Sequence, residues 1–161
     1  MKTPNPLKPL LLASAIVLGL TACQESAQDT AEDVAEARAE GQEDVAEARA
    51  DAAETAAETE QNLNQAGTDA SMTGRTDMVD AGEDYNEAVA DATESNAGAT
   101  YDVRIAEADA AYQVAEEKCE ALAGAERDAC MTQAKSTHEM AKLEAEKARD
   151  MADAAADARR E

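Results

Sequence analysis

Apolar positions are sparse along this chain, and where they recur they do so at helical spacing. In residues 101–161, Tyr101, Ile105, Ala108, Tyr112, Ala115, Cys119 and Leu122 follow one another in alternating steps of four and three. That spacing sets them on one face of an α-helix. Gly124 interrupts the pattern, and Met131, Ala134, His138, Ala141, Ala145, Ala148, Ala152 and Ala155 resume it with mostly small residues. Two such stripes joined by a short glycine turn predict an αα-hairpin, the alanines of one helix facing larger side chains of the other. Upstream, Glu32-Asp33-Val34-Ala35-Glu36-Ala37-Arg38-Ala39 recurs as Glu43-Asp44-Val45-Ala46-Glu47-Ala48-Arg49-Ala50, a period of 11 residues with Gly41 between the copies. Eleven residues make three helical turns, so Val34 and Val45 share a face, and the period favours a straight or slightly right-handed helix. A stripe this narrow predicts a solvated single helix over residues 23–66, a stalk. Between the two regions, residues 67–100 hold Gly67, Gly74, Gly82 and Gly98 among Ser, Thr, Asn and Asp. These are turn formers and breakers, and they predict a flexible linker with one short helix near residues 84–94. Tyr85, Ala88, Val89 and Ala92 would share that helix's face. No stretch alternates over a strand's length, so the fold class is all-α: an extended acidic helix, a flexible linker and a two-helix hairpin, without sheet.

The N-terminus reads as an address. Lys2 and Lys8 flank the start of an apolar run over residues 10–20, too short for a bilayer span, which needs about 20 residues. Residues 1–22 therefore form a secretory signal peptide. Leu20-Thr21-Ala22-Cys23 resembles the bacterial lipobox. That resemblance implies cleavage before Cys23, acylation of its thiol and amine, and attachment to the membrane through the acyl chains, each buried CH₂ contributing about 0.8 kcal/mol. A plain signal peptide with a chance cysteine is the alternative. Gln24 stands where an aspartate would signal retention at the inner membrane. The resemblance thus implies the periplasmic face of the outer membrane of a diderm bacterium.

Composition narrows the function classes. The length allows one domain, and 41 alanines with three tyrosines and no Phe or Trp leave too few large side chains for a thick core. Loss of residues 1–22 removes all three prolines and leaves 36 acidic against 12 basic groups. An alanine-rich, proline-free chain has high helix propensity. So acidic a chain is unsuited to nucleic acid, which requires clustered Lys and Arg, and to adsorption on anionic lipid. The charge is uneven: residues 24–66 carry 13 acids and two arginines, residues 101–161 carry 15 acids and nine bases. Lys135, Lys142 and Lys147 each have acids three or four residues away for helix-surface pairing.

With Cys23 acylated, Cys119 and Cys130 are the remaining thiols. On one continuous helix they would stand roughly 16 Å apart. In a hairpin turning near residues 123–126 they come into bonding range, and an oxidising periplasm favours the bridge. Such a bridge would stabilise the hairpin by about 2–3 kcal/mol. An intermolecular bond and a redox pair are the other readings; ten intervening residues do not match the Cys-x-x-Cys of redox sites. His138 is the one histidine. It stands beside Glu139 without HExxH or a second histidine, so helix packing or exposure accounts for it better than metal ligation. No nucleotide-binding glycine pattern, EF-hand spacing or GxSxG occurs, and the carboxylates lack residues to build a pocket around them. The expectation is no catalytic residue, no metal, no cofactor and no small-molecule substrate.

The run Tyr101-Asp-Val-Arg-Ile-Ala-Glu-Ala through Tyr112-Gln-Val-Ala-Glu-Glu-Lys-Cys119-Glu-Ala-Leu-Ala-Gly124-Ala-Glu-Arg-Asp128-Ala-Cys130 resembles a group of small alanine-rich envelope proteins of proteobacteria. They share the Lys-Cys, Gly and Arg-Asp-x-Cys pattern. The resemblance implies envelope location and a cysteine hairpin, and carries no activity. More loosely, the chain is similar to murein lipoprotein and its alanine-zipper relatives. It ends Ala158-Arg159-Arg160-Glu161, without the terminal lysine by which those attach to the wall. The expectation is a non-enzymatic outer-membrane lipoprotein with a structural or interaction role. Its partners would be the membrane through Cys23, and a second copy or an envelope protein through the hairpin. The alternative is a hydrophilic stress or desiccation protectant, disordered until dried or crowded.

Overall fold

The structure, a computed structural model, describes residues 27–72 and 78–161, with the backbone alone of Met78. The signal peptide over 1–22 and the acylation of Cys23 lie outside the described residues. Three helices account for nearly all of what is described: α1 (Ala27–Met72), α2 (Met78–Glu120) and α3 (Ala125–Arg160). No strand occurs among the described residues.

The helices form an open layer with α2 in the middle. Both α1 and α3 pack along α2, and among the described residues α1 and α3 do not approach each other. Each neighbouring pair is antiparallel. Along α1 the contacts with α2 run backwards: Arg49 pairs with Glu107, Thr59 reaches Asn96, and Gly67 lies against Tyr85.

Two expectations are corrected here. The region over 67–100 is not a linker: residues 67–72 end α1, and residues 78–100 are helix continuous with the hairpin's first arm. Gly82 and Gly98 each cost up to about 1 kcal/mol against alanine in a helix. Around and beyond residue 88, Ala90 and Ala92 are buried and Val89, Ala97 and Ala99 are half-buried; packing on α1, joined from Asp91 onward by α3, whose last residue Arg160 reaches Asp91 and Glu94, overrides the local breakers. Thr93 satisfies its hydroxyl within the helix by donating to the Val89 carbonyl at 2.7 Å. Nor is the acidic helix a free stalk. It runs to Met72 and lies lengthwise on α2, burying Val34, Ala37, Gly41 and Thr59. Its inward positions keep the 11-residue period well beyond the two sequence copies. Ala37, Ala48, Thr59 and Ala70 recur at that interval, as do Gly41, Ala52 and Leu63, and all are buried or half-buried. The period suits a nearly straight helix whose contact face hardly drifts.

Gly41 marks the closest approach of α1 to α2. A Cβ built there would stand 2.5 Å from the Ala110 Cβ and 3.0 Å from its Cα. Thr59 is buried with its hydroxyl donated to the Ala56 carbonyl at 2.9 Å.

The hairpin turns where Gly124 predicted. Gly124 has φ 57°, in the left-handed region that glycine enters at little cost, and its carbonyl accepts the Asp128 N–H at 3.2 Å to start α3. Leu122 lies in the turn beyond α2 and is exposed rather than facing the second arm. At the far end, Ala156 is fully buried while Ala155 is exposed. An α-helix slips about 20° per heptad against a strict 4-3 pattern, and by the last turn that slip has moved the contact one residue on.

Two cations tie the outer helices to the central one. Arg49 of α1 pairs with Glu107 at 2.6 Å. Arg160 of α3 reaches Glu94 at 2.5 Å and Asp91 at 2.7 Å. Its hydrogen bond, followed by its charge, holds the Glu94 carboxyl below the ordinary 4.5.

Candidate functional site

Polar and aromatic side chains gather at the turn end of the hairpin. Cys119, in the last turn of α2, and Cys130, in the second turn of α3, are bonded with Cα atoms 5.5 Å apart. Cys119 is the largest fully buried side chain of the described residues, so the bridge also fills the place of a core residue. Two turns away, His138 of α3 lies between two residues of α2. Its Nε2 stands 2.5 Å from Asp109 Oδ1, and its ring stacks on Tyr112 with centroids 4.7 Å apart and planes 18° from parallel. A hydrogen bond to Glu116, reinforced by partial burial and by that carboxylate's charge, raises the Tyr112 phenol above its usual value. Farther along, the Arg149 guanidinium sits 4.8 Å over the Tyr101 ring.

Tyr112, His138 and the two bonded cysteines border an alanine-lined groove of about 340 Å³ that opens to solvent between α2 and α3. Ala108, Ala115, Ala134 and Ala141 line it, with the disulfide at the turn end and Tyr112 and His138 midway along it. Chemically the arrangement is a clasp. A stacked ring pair, a charge-assisted hydrogen bond and a covalent bridge fix the register of two helices whose seam is rich in alanine. His138 finds its partner on the opposite helix and not in the adjacent Glu139, which is exposed. Among the described residues, no three His, Cys, Asp or Glu side chains converge as metal ligands.

The structure brings Cys119 and Cys130 together and places His138 on the seam. Spacing along the chain does not pair His138 with Asp109 and Tyr112, nor Arg149 with Tyr101. A signal existed: counting outward equally from the two cysteines sets residue 112 opposite 137 and residue 101 opposite 148, each one position from the observed pairing. Cys23 lies outside the described residues, and no described helix is long and apolar enough to cross a membrane. Comparison with known proteins found no matching family model, curated protein or solved structure.

Proposed function

We propose that the protein is a non-enzymatic lipoprotein of the outer membrane, held by acyl chains on Cys23, whose three-helix layer acts as a stiff acidic spacer and docking element in the periplasm. The observation that carries this reading is Leu20-Thr21-Ala22-Cys23 directly after an 11-residue apolar run. Helix lengths are in keeping with a spacer: the 46 residues of α1 extend about 70 Å at 1.5 Å per residue. So is the clasp of disulfide, stacked rings and ion pairs, which stiffens a thin alanine core. The acidic surface would hold the layer away from anionic lipid.

The test is the mass of the N-terminal peptide together with cell fractionation. The expected peptide begins at acylated Cys23 and the protein sediments with outer membrane, whereas a Cys23→Ser variant does not acquire lipid. An unmodified Cys23 in a soluble protein overturns the anchor. Circular dichroism separates the protectant reading: a stable spacer is helical in dilute buffer and melts cooperatively, a protectant gains helix only on drying or crowding.

A further inference from the structure

The hairpin seams expected to mediate self-association are occupied within the chain, since the alanines of α3 lie against α2. The opposite face of α3 is uncovered. Met140, Leu143 and Met151 are 53%, 63% and 66% exposed. With Lys147, Ala154 and Ala158 they follow helical steps of three and four, on the side away from the buried Ala145 and Ala156. In a chain 31% charged, Lys147 stands on this face, with Glu144 along one edge and Asp150 along the other.

We infer that this face joins a second copy of the chain, α3 against α3, antiparallel about a twofold axis passing between Ala145 and Glu146. Two pairs of positions are symmetric about that point. Met140 stands as far before it as Met151 stands after it, and Glu144 as far before it as Lys147 after it. A twofold pairing therefore sets Met140 against the partner's Met151 twice, and Glu144 against the partner's Lys147 twice. That is what an isologous interface requires. Charge also selects this helix. Among the three, α1 carries 13 acids and two bases and α2 carries 12 and two, so copies meeting through either would repel; α3 carries eight acids and seven bases. The face from Met140 to Ala158, about 28 Å long at 1.5 Å per residue and about 10 Å wide, covers roughly 280 Å² on each partner, which places the contact among weak, reversible associations.

The experiment is sedimentation velocity over a concentration series, on the full chain carrying Cys23→Ala so that acyl chains play no part. The unaltered α3 face gives a concentration-dependent monomer–dimer equilibrium, and Met140→Glu with Met151→Glu abolishes it. Glu144→Lys alone and Lys147→Glu alone each weaken dimerisation by roughly tenfold, because each turns two attractive pairs into two repulsive ones. Combining Glu144→Lys with Lys147→Glu restores it. Circular dichroism of each variant reports the fold separately. A monomer at every concentration, a dimer indifferent to these substitutions, or a double reversal as weak as the singles overturns the inference.

Discussion

Gly41 and Gly98 are both glycines inside helices, and their surroundings give them opposite consequences. A Cβ at Gly41 meets the Cβ and Cα of Ala110, neither of which can rotate away. The gain in helix propensity from alanine, up to about 1 kcal/mol, is then outweighed by an overpacking cost of about 1–3 kcal/mol. At Gly98 nothing lies within 4 Å of an added Cβ, so the propensity gain is realised. Gly41→Ala is expected to lower the melting temperature and Gly98→Ala to raise it, read by thermal circular dichroism on the same day's protein. Equal stabilisation by both would mean that α1 does not approach α2 at this point. The sequence shows both residues as interruptions of an alanine-rich pattern and cannot tell a glycine that admits a neighbour from one that merely weakens a helix. The same holds for His138: its position on the α3 stripe was legible, while Asp109 became its partner only through the hairpin's register.

For whole elements the hairpin was the most legible part, because its stripes, its glycine and its paired cysteines all point to one geometry. Its stability rests on few large side chains, so the bridge weighs heavily. Reduction, or Cys119→Ala with Cys130→Ala, is expected to cost about 2–3 kcal/mol. Hydrogen exchange should show the loss concentrated in residues 112–138, with protection of residues 34–59 of α1 changed least, since among the described helices α1 touches α2 alone. Uniform loss across all three helices would mean that the layer unfolds as one unit. The linker expectation failed for a definable reason. Glycine and Asn/Ser signals report local propensity, worth tenths to about 1 kcal/mol per residue, whereas residues 78–100 are held by packing on α1 and, from Asp91 onward, on α3 as well. A central helix also has no single apolar face, so the amphipathic pattern that reveals outer helices is diluted in α2.

On the scale of the whole molecule the dominant quantity is charge. The two most acidic helices, α1 and α2, lie side by side along most of their length, and only a few cations, chiefly Arg49 and Arg160, reach across to α2. The screening length falls from about 30 Å at 0.01 M salt to about 8 Å at 0.15 M. Added sodium chloride is therefore expected to raise the melting temperature by relieving repulsion. A fall would mean that the cross-helix ion pairs outweigh it. By itself the sequence determined the helical class, the place of the turn, the cysteine pair's proximity and the 11-residue face of α1. All of these follow from spacing along one chain and from local propensity. Only the tertiary structure decided that the acidic helix docks and does not project, that the glycine-rich stretch is the middle of the layer, and that the outer face of α3 is left uncovered. Those outcomes depend on which faces meet. In a chain whose faces are nearly all alanine, the choice rests on sub-ångström fit between backbones, and spacing along the sequence does not encode it.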